Sequence, residues 1–104
     1  MVGIDFQGWK PDVIAALSEI RRLHSVHPEE VALFSAAKQL EYLLALTDGV
    51  EVDDRALEEI NLGSIAMYQL GSVATSELGE QLSTINEQVR RFLRMNGRRL
   101  KIDH

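Results

Sequence analysis

The chain has no cysteine and only two prolines, Pro11 and Pro28, in 104 residues. Without a thiol there is no cysteine nucleophile, no disulfide frame and no cysteine-based zinc site. Aromatic residues are few, one Trp, two Tyr and three Phe. They are not interleaved with basic residues, which argues against stacking on single-stranded nucleic acid. No apolar run approaches the ~18 residues of a membrane span. The first residues, Met1 to Lys10, include Asp5 and lack both a basic n-region and a continuous apolar stretch, so they do not read as a signal peptide. The seven glycines are scattered rather than gathered into a phosphate-cradling loop. The expected compartment is the cytoplasm, with no membrane partner and no cofactor.

What is present is an ordinary globular composition, 45% hydrophobic and 26% charged, at a length that fits one domain with one core over residues 1–104. A fold of this size buries roughly 65% of the surface its unfolded chain exposes, enough to stand without disulfides or a structural metal. The net charge of −5 is unevenly spread. Residues 29–87 hold twelve acidic residues against only Lys38 and Arg55, a net of −10, whereas residues 88–104 hold six basic residues and Asp103, a net of +5. Nucleic acid is an unfavourable partner for so acidic a chain, because phosphate binding draws on clustered Lys or Arg. An acidic surface suits a basic protein partner.

Periodicity predicts an all-α bundle of four to five helices with short connections. Lys10-Pro11-Asp12 opens the first helix, whose Val13, Leu17, Ile20 and Leu23 share a face, and it ends near His24 to Val26. Pro28-Glu29-Glu30 opens the second, with Ser25 or His27 as candidate N-cap. Leu33, Ala37, Leu40 and Leu44 line it, Phe34, Tyr42, Leu43 and Leu46 widen it into a mostly buried helix, and Asp48-Gly49 stops it. Asp53 caps a third, shorter helix, with Val52 and Leu57 at the positions of a hydrophobic staple and Ala56, Leu57 and Ile60 facing inward. Asn61 to Ser64 reads as a break and restart in which Ser64 caps a short fourth helix through Tyr68 or Leu70. Gly71 to Ser76 reads as a turn. The last helix carries the clearest stripe, Leu78, Leu82, Ile85, Val89 and Phe92, and Asn96-Gly97 ends it, leaving residues 98–104 as a short tail. Arg90, Arg91 and Arg94 then crowd its negative terminus, where cations are stabilising.

Each candidate chemical site has a structural reading that accounts for it better. His24 and His27 would share a helical face as metal ligands only if the first helix ran through Pro28, so capping and solvent exposure explain them instead. Asp53-Asp54 and Glu58-Glu59 resemble carboxylate pairs for acid-base work, but adjacent acids on a short helix face solvent or a partner rather than the apolar pocket that raises one pKa. Ser64 lacks the flanking glycines and paired histidine of a nucleophile elbow. Trp9 is expected to lock the start of the first helix onto the core. No catalytic, cofactor-binding or metal residue is assigned.

Three stretches carry a specific likeness: Ser35-Ala36-Ala37-Lys38-Gln39-Leu40-Glu41-Tyr42, Asp54-Arg55-Ala56-Leu57 followed by Leu62-Gly63-Ser64-Ile65-Ala66, and Gly97-Arg98-Arg99-Leu100-Lys101. In order and spacing they resemble the small immunity proteins of bacterial type VI secretion that neutralise an NAD(P)-hydrolysing effector, over roughly residues 10–102. The resemblance implies a helical antitoxin, not an enzyme, kept in the toxin-producing cell, that binds the cognate toxin domain and blocks substrate access. Another toxin chemistry, ADP-ribosyl transfer among them, stays open. The residues assigned to toxin binding come from charge and exposure rather than from a family motif. Glu51, Asp53, Asp54, Glu58 and Glu59 form the densest acidic group, and Lys38, Gln39, Tyr42, Ser64 and Tyr68 are polar positions in otherwise apolar segments. The alternative from another class is a helical adaptor or regulatory subunit with no toxin partner, a homodimer if the Leu78 to Phe92 stripe is its seam. The oligomeric state is left open.

Overall fold

Proline has no amide hydrogen to give, and the first turn of a helix asks for none. In the computed structural model, which describes residues 6–70 and 76–102, Pro11 stands in the first turn of α1 (Lys10–Val26) with Asp12 beside it. A 3-10 turn, Phe6–Trp9, leads into α1. Then come α2 (Val31–Thr47), α3 (Asp54–Glu58), a single turn α4 (Leu62–Ser64) that continues as a π turn (Ile65–Gln69), and α5 (Ser76–Ile102). The fold is all-α, as the periodicity predicts, and the described residues contain no strand.

α1 and α2 form an antiparallel hairpin. Their apolar stripes face each other, and two exposed ion pairs bridge the helices in antiparallel register, Lys10 to Asp48 and Arg21 to Glu41, each at 3.2 Å. Exposed pairs of this kind contribute little to stability; burial does the work. Within α1, Arg22 donates to both oxygens of Glu19 and holds its carboxyl below the usual carboxylate range. α5 packs across α1, α3, α4 and the π turn. Leu78, Leu82, Ile85, Val89 and Phe92 are all buried there, so the stripe belongs to this chain's own core. A homodimer seam along it, expected of the adaptor reading if the stripe were exposed, is therefore overturned. Trp9 is buried and meets Phe92 edge to face, with ring centroids 6.3 Å apart, which fixes the start of α1 on the core as expected.

Local chemistry displaces several expected boundaries. α2 begins at Val31 rather than at Pro28, because His27 to Glu30 close a tight turn through the Glu30 N–H to His27 carbonyl bond of 3.1 Å. Neither candidate reaches the N-cap position, which Glu30 takes: Ser25 lies inside α1 and His27 is its C-cap. The Ser25 hydroxyl donates to the Arg22 carbonyl at 2.7 Å, and the His27 N–H donates to the Leu23 carbonyl at 2.8 Å. Phe34, expected in the core, is 52% exposed, and Ala37 and Leu44 are only partly buried against the core. Gly49 ends α2 with φ +100°, the left-handed conformation glycine adopts without steric cost.

Asn61, not Ser64, precedes the fourth helical turn, and Ser64 lies exposed inside it. α5 does not stop at Asn96-Gly97 but runs on to Ile102. One glycine costs about 1 kcal/mol in a helix interior, which the flanking Arg98, Arg99, Leu100 and Lys101, all strong helix formers, offset. Arg90, Arg91 and Arg94 therefore sit well before the helix end, and two of them find other partners. Arg90 donates to the Ile60 carbonyl at 3.0 Å, and Arg94 lies 3.8 Å from Glu87. The turn expected at Gly71 to Ser76 falls, apart from Ser76, outside the described residues.

Candidate functional site

The α3 segment is short and acidic, and two side chains one turn apart on α2 hold it in place. Beyond Gly49 the chain returns along α2 until the Asp53 N–H donates to the Tyr42 hydroxyl at 2.9 Å. The Asp53 carboxylate then accepts from the Arg55 and Ala56 amides at 3.0 and 3.4 Å, the expected N-cap of α3. At the other end of α3, Gln39 pairs with Asn61 twice. Its Oε1 accepts the Asn61 N–H at 2.9 Å and its Nε2 donates to the Asn61 Oδ1 at 2.7 Å. That second bond occupies the side-chain oxygen with which Asn61 could have capped α4. The Arg90 bond to the Ile60 carbonyl ties the same end to α5. Leu57 and Ile60 are buried beneath, and Val52 packs partly buried against the core.

A groove of about 550 Å³ runs between α2 and α3, lined by Ser35, Lys38, Gln39, Tyr42, Ala56, Glu59, Ile60 and Asn61. It brings together four of the residues assigned to toxin binding: Lys38, Gln39, Tyr42 and Glu59. Glu51, Asp53 and Glu58 are exposed outside its lining, and the side chain of Asp54 lies outside the described residues. Ser64 and Tyr68 are also exposed, but the groove does not include them. Among the described residues, Glu51, Glu58 and Glu59 make no ion pair, whereas Asp53 is engaged as a cap. The polarity of Gln39 and Tyr42 thus has a role inside the chain, as clamps on α3. Lys38 extends over the Phe34 ring, 5.4 Å from its centroid.

Phe34 is the surface residue that the sequence reading missed. Its outward stripe, Val31, Phe34, Lys38 and Glu41, contains two charges and is legible once the buried stripe is set at Leu33, Ala36, Leu40 and Leu43. His24 packs its ring 6.2 Å from that of Phe34, and His27 lies just past the end of α1. The groove offers a cation, a carboxylate and amide groups around an open, partly polar hollow, which serves recognition of another surface. Because α3 has only five residues, its cap matters. Asp53→Ala is expected to lower stability by about 1 kcal/mol in urea denaturation, and an unchanged midpoint would show that the Tyr42 and Gln39 clamps alone hold the segment.

Among the described residues, no helix is long and apolar enough to cross a membrane, and no cluster of three or more His, Asp or Glu is suited to hold a metal ion. A family model described as Tsi6, an immunity protein family of type VI secretion, matches residues 11–91. No curated protein and no solved structure matches the chain.

Proposed function

We propose, since this chain belongs to the Tsi6 family of type VI secretion immunity proteins, that the toxin domain it captures hydrolyses NAD(P) and that the acidic α3 segment obstructs the toxin's substrate cleft. The chain acts by binding, not by turnover, inside the cell that makes the toxin. The observation that carries the reading is the set of exposed carboxylates Glu51, Glu58 and Glu59, without internal ion pairs among the described residues, on a segment anchored by buried Leu57 and Ile60 and by the α2 clamps.

A cleft that accepts an anionic dinucleotide presents positive potential, and a fixed row of carboxylates complements it. Rigidity matters as much as charge, because a preorganised segment loses less entropy on binding. Asp53 and Asp54 add negative charge to the same stretch. Lys38, Gln39 and Tyr42 form the adjoining wall, and Ser64 and Tyr68 contribute as outlying contacts.

The test is NAD turnover by the toxin domain encoded beside this gene, with and without one equivalent of the purified protein. Turnover abolished at a one-to-one ratio is the expected result. A neighbouring domain that is toxic and captured but spares NAD would overturn the substrate assignment alone. One that is neither captured nor toxic would overturn the cognate pairing.

A further inference from the structure

Gly79 is the fourth residue of α5 and lies in its first turn. Among the described residues, a Cβ at this position would meet nothing within 4 Å. Glycine is a poorer helix former than alanine, and no close contact among the described residues requires it here. Gly49, by contrast, adopts φ +100°, a conformation in which a side chain is strained.

The space over Gly79 is a groove of about 510 Å³ between the π turn and α5, lined by Ala66, Met67, Gly79, Glu80, Ser83 and Thr84. Gly79 and Ser83 are four residues apart and give it a floor of small side chains. Met67 forms part of the opposite wall. The π turn is closed by a bond from the Leu70 N–H to the Ile65 carbonyl at 3.0 Å, with both end residues buried, and Met67 and Tyr68 between them are 69% and 78% exposed. π turns are rare and recur at functional sites. Glu80 and Thr84 also line an adjoining hollow with Asp12, Glu77 and Gln81. No basic side chain among the described residues pairs with Asp12, Glu77 or Glu80.

We infer that this groove is a second contact for the toxin domain, one that receives a basic helix or loop with its backbone against Gly79 and its Lys or Arg side chains toward Glu80, Glu77 and Asp12. The inference rests on the inhibitor reading and extends it from Tyr68, an outlying contact in that reading, to the groove beside the π turn. Absence of a side chain lets a partner's backbone approach closely. A thioether adapts its shape to what it meets, and tyrosine is enriched among binding hot spots. The carboxylate rim selects a cationic segment over a neutral one. A stable interface takes roughly 20–30 residues a side, more than the α2–α3 groove and its acidic neighbours supply.

The experiment compares Gly79→Ala, Gly79→Leu and Glu80→Lys with the parent chain, measuring thermal midpoint and affinity for the purified toxin domain encoded beside this gene. Gly79→Ala is expected to melt no lower than the parent yet bind about tenfold more weakly, a combination that damage to the fold cannot produce. Gly79→Leu should lose about a hundredfold in affinity, and Glu80→Lys about tenfold at low salt. Parent-like affinity in all three variants overturns the inference and leaves the inhibitor reading standing. A parent chain that does not bind the domain overturns both.

Discussion

Reversing the charge of Glu58 and Glu59 together is expected to slow capture of the toxin domain by about 100-fold at low ionic strength, with the fold left in place. Both carboxylates are exposed, and neither belongs to an ion pair among the described residues. Their removal therefore orphans no partner, and surface changes of this kind stay within about 0.5 kcal/mol of the parent. Lysines at 58 and 59 would stand three and four residues from Arg55, a like-charge spacing that costs a few tenths of a kcal/mol on a helix. Leu57 and Ile60 keep their places in the core, and the Gln39 and Tyr42 clamps use other groups.

The effect falls mainly on the association rate. Complementary charge steers encounter to about 10⁸ M⁻¹s⁻¹ or more, against roughly 10⁵–10⁶ without it. Replacing two carboxylates by two cations turns attraction into repulsion at the mouth of the cleft. Rapid-mixing kinetics across a salt series would show the parent slowing steeply with ionic strength and the variant flat or accelerating. Parent-like rates and an unchanged salt slope in the variant would remove α3 from the interface, whatever the fate of the groove over Gly79.

The parts of the fold that were legible in the sequence depend on neighbours close along the chain. Asp53 could be read as a cap because the amides it binds lie two and three residues away. Asp48-Gly49 could be read as a stop because a left-handed residue is a local demand. The α5 stripe was legible because charged and polar residues separate its buried positions. The failures come from competition between local signals, or from distance. Ser25 and His27 read as caps of α2, but both belong to the end of α1 and lie too far before Val31. Phe34 has a core-like side chain on a helix whose inward face is already full, so hydrophobicity alone misplaced it. Gly97 is a weak stop, and a run of helix formers carries α5 past it. For the candidate site, the acidic group was visible as composition, whereas the groove was not. Gln39 meets Asn61 across 22 residues, and Tyr42 meets Asp53 across 11, and no periodicity encodes such pairings.

Ile85→Ala should be the most destabilising single change, by about 3–4 kcal/mol, out of the roughly 5–15 that hold a domain of this kind together. Ile85 is fully buried at the middle of the α5 stripe, where α5 crosses the other helices, and the cavity left by the missing methyl and ethyl groups could close only by moving packed backbones. The expected drop in Tm is roughly 15 °C for a chain of this length. Concentration dependence checks that Ile85 acts within one chain. A core position lowers Tm equally at every protein concentration, whereas a residue in a homodimer seam makes Tm fall as the protein is diluted. Melting parent and variant over about a hundredfold range of concentration is expected to show the same drop throughout, and a drop that grows on dilution would count against a purely internal role for Ile85. Toxin capture supplies the second axis. Well below its lowered Tm the Ile85→Ala chain should bind as the parent does, because nothing that reaches the surface has changed, while the Glu58 and Glu59 reversal melts like the parent and binds poorly. A protein whose stability and capture can be lost separately in this way keeps its fold and its recognition on different residues. That separation lets an inhibitor's contact surface change with its toxin while the helices beneath it stay packed.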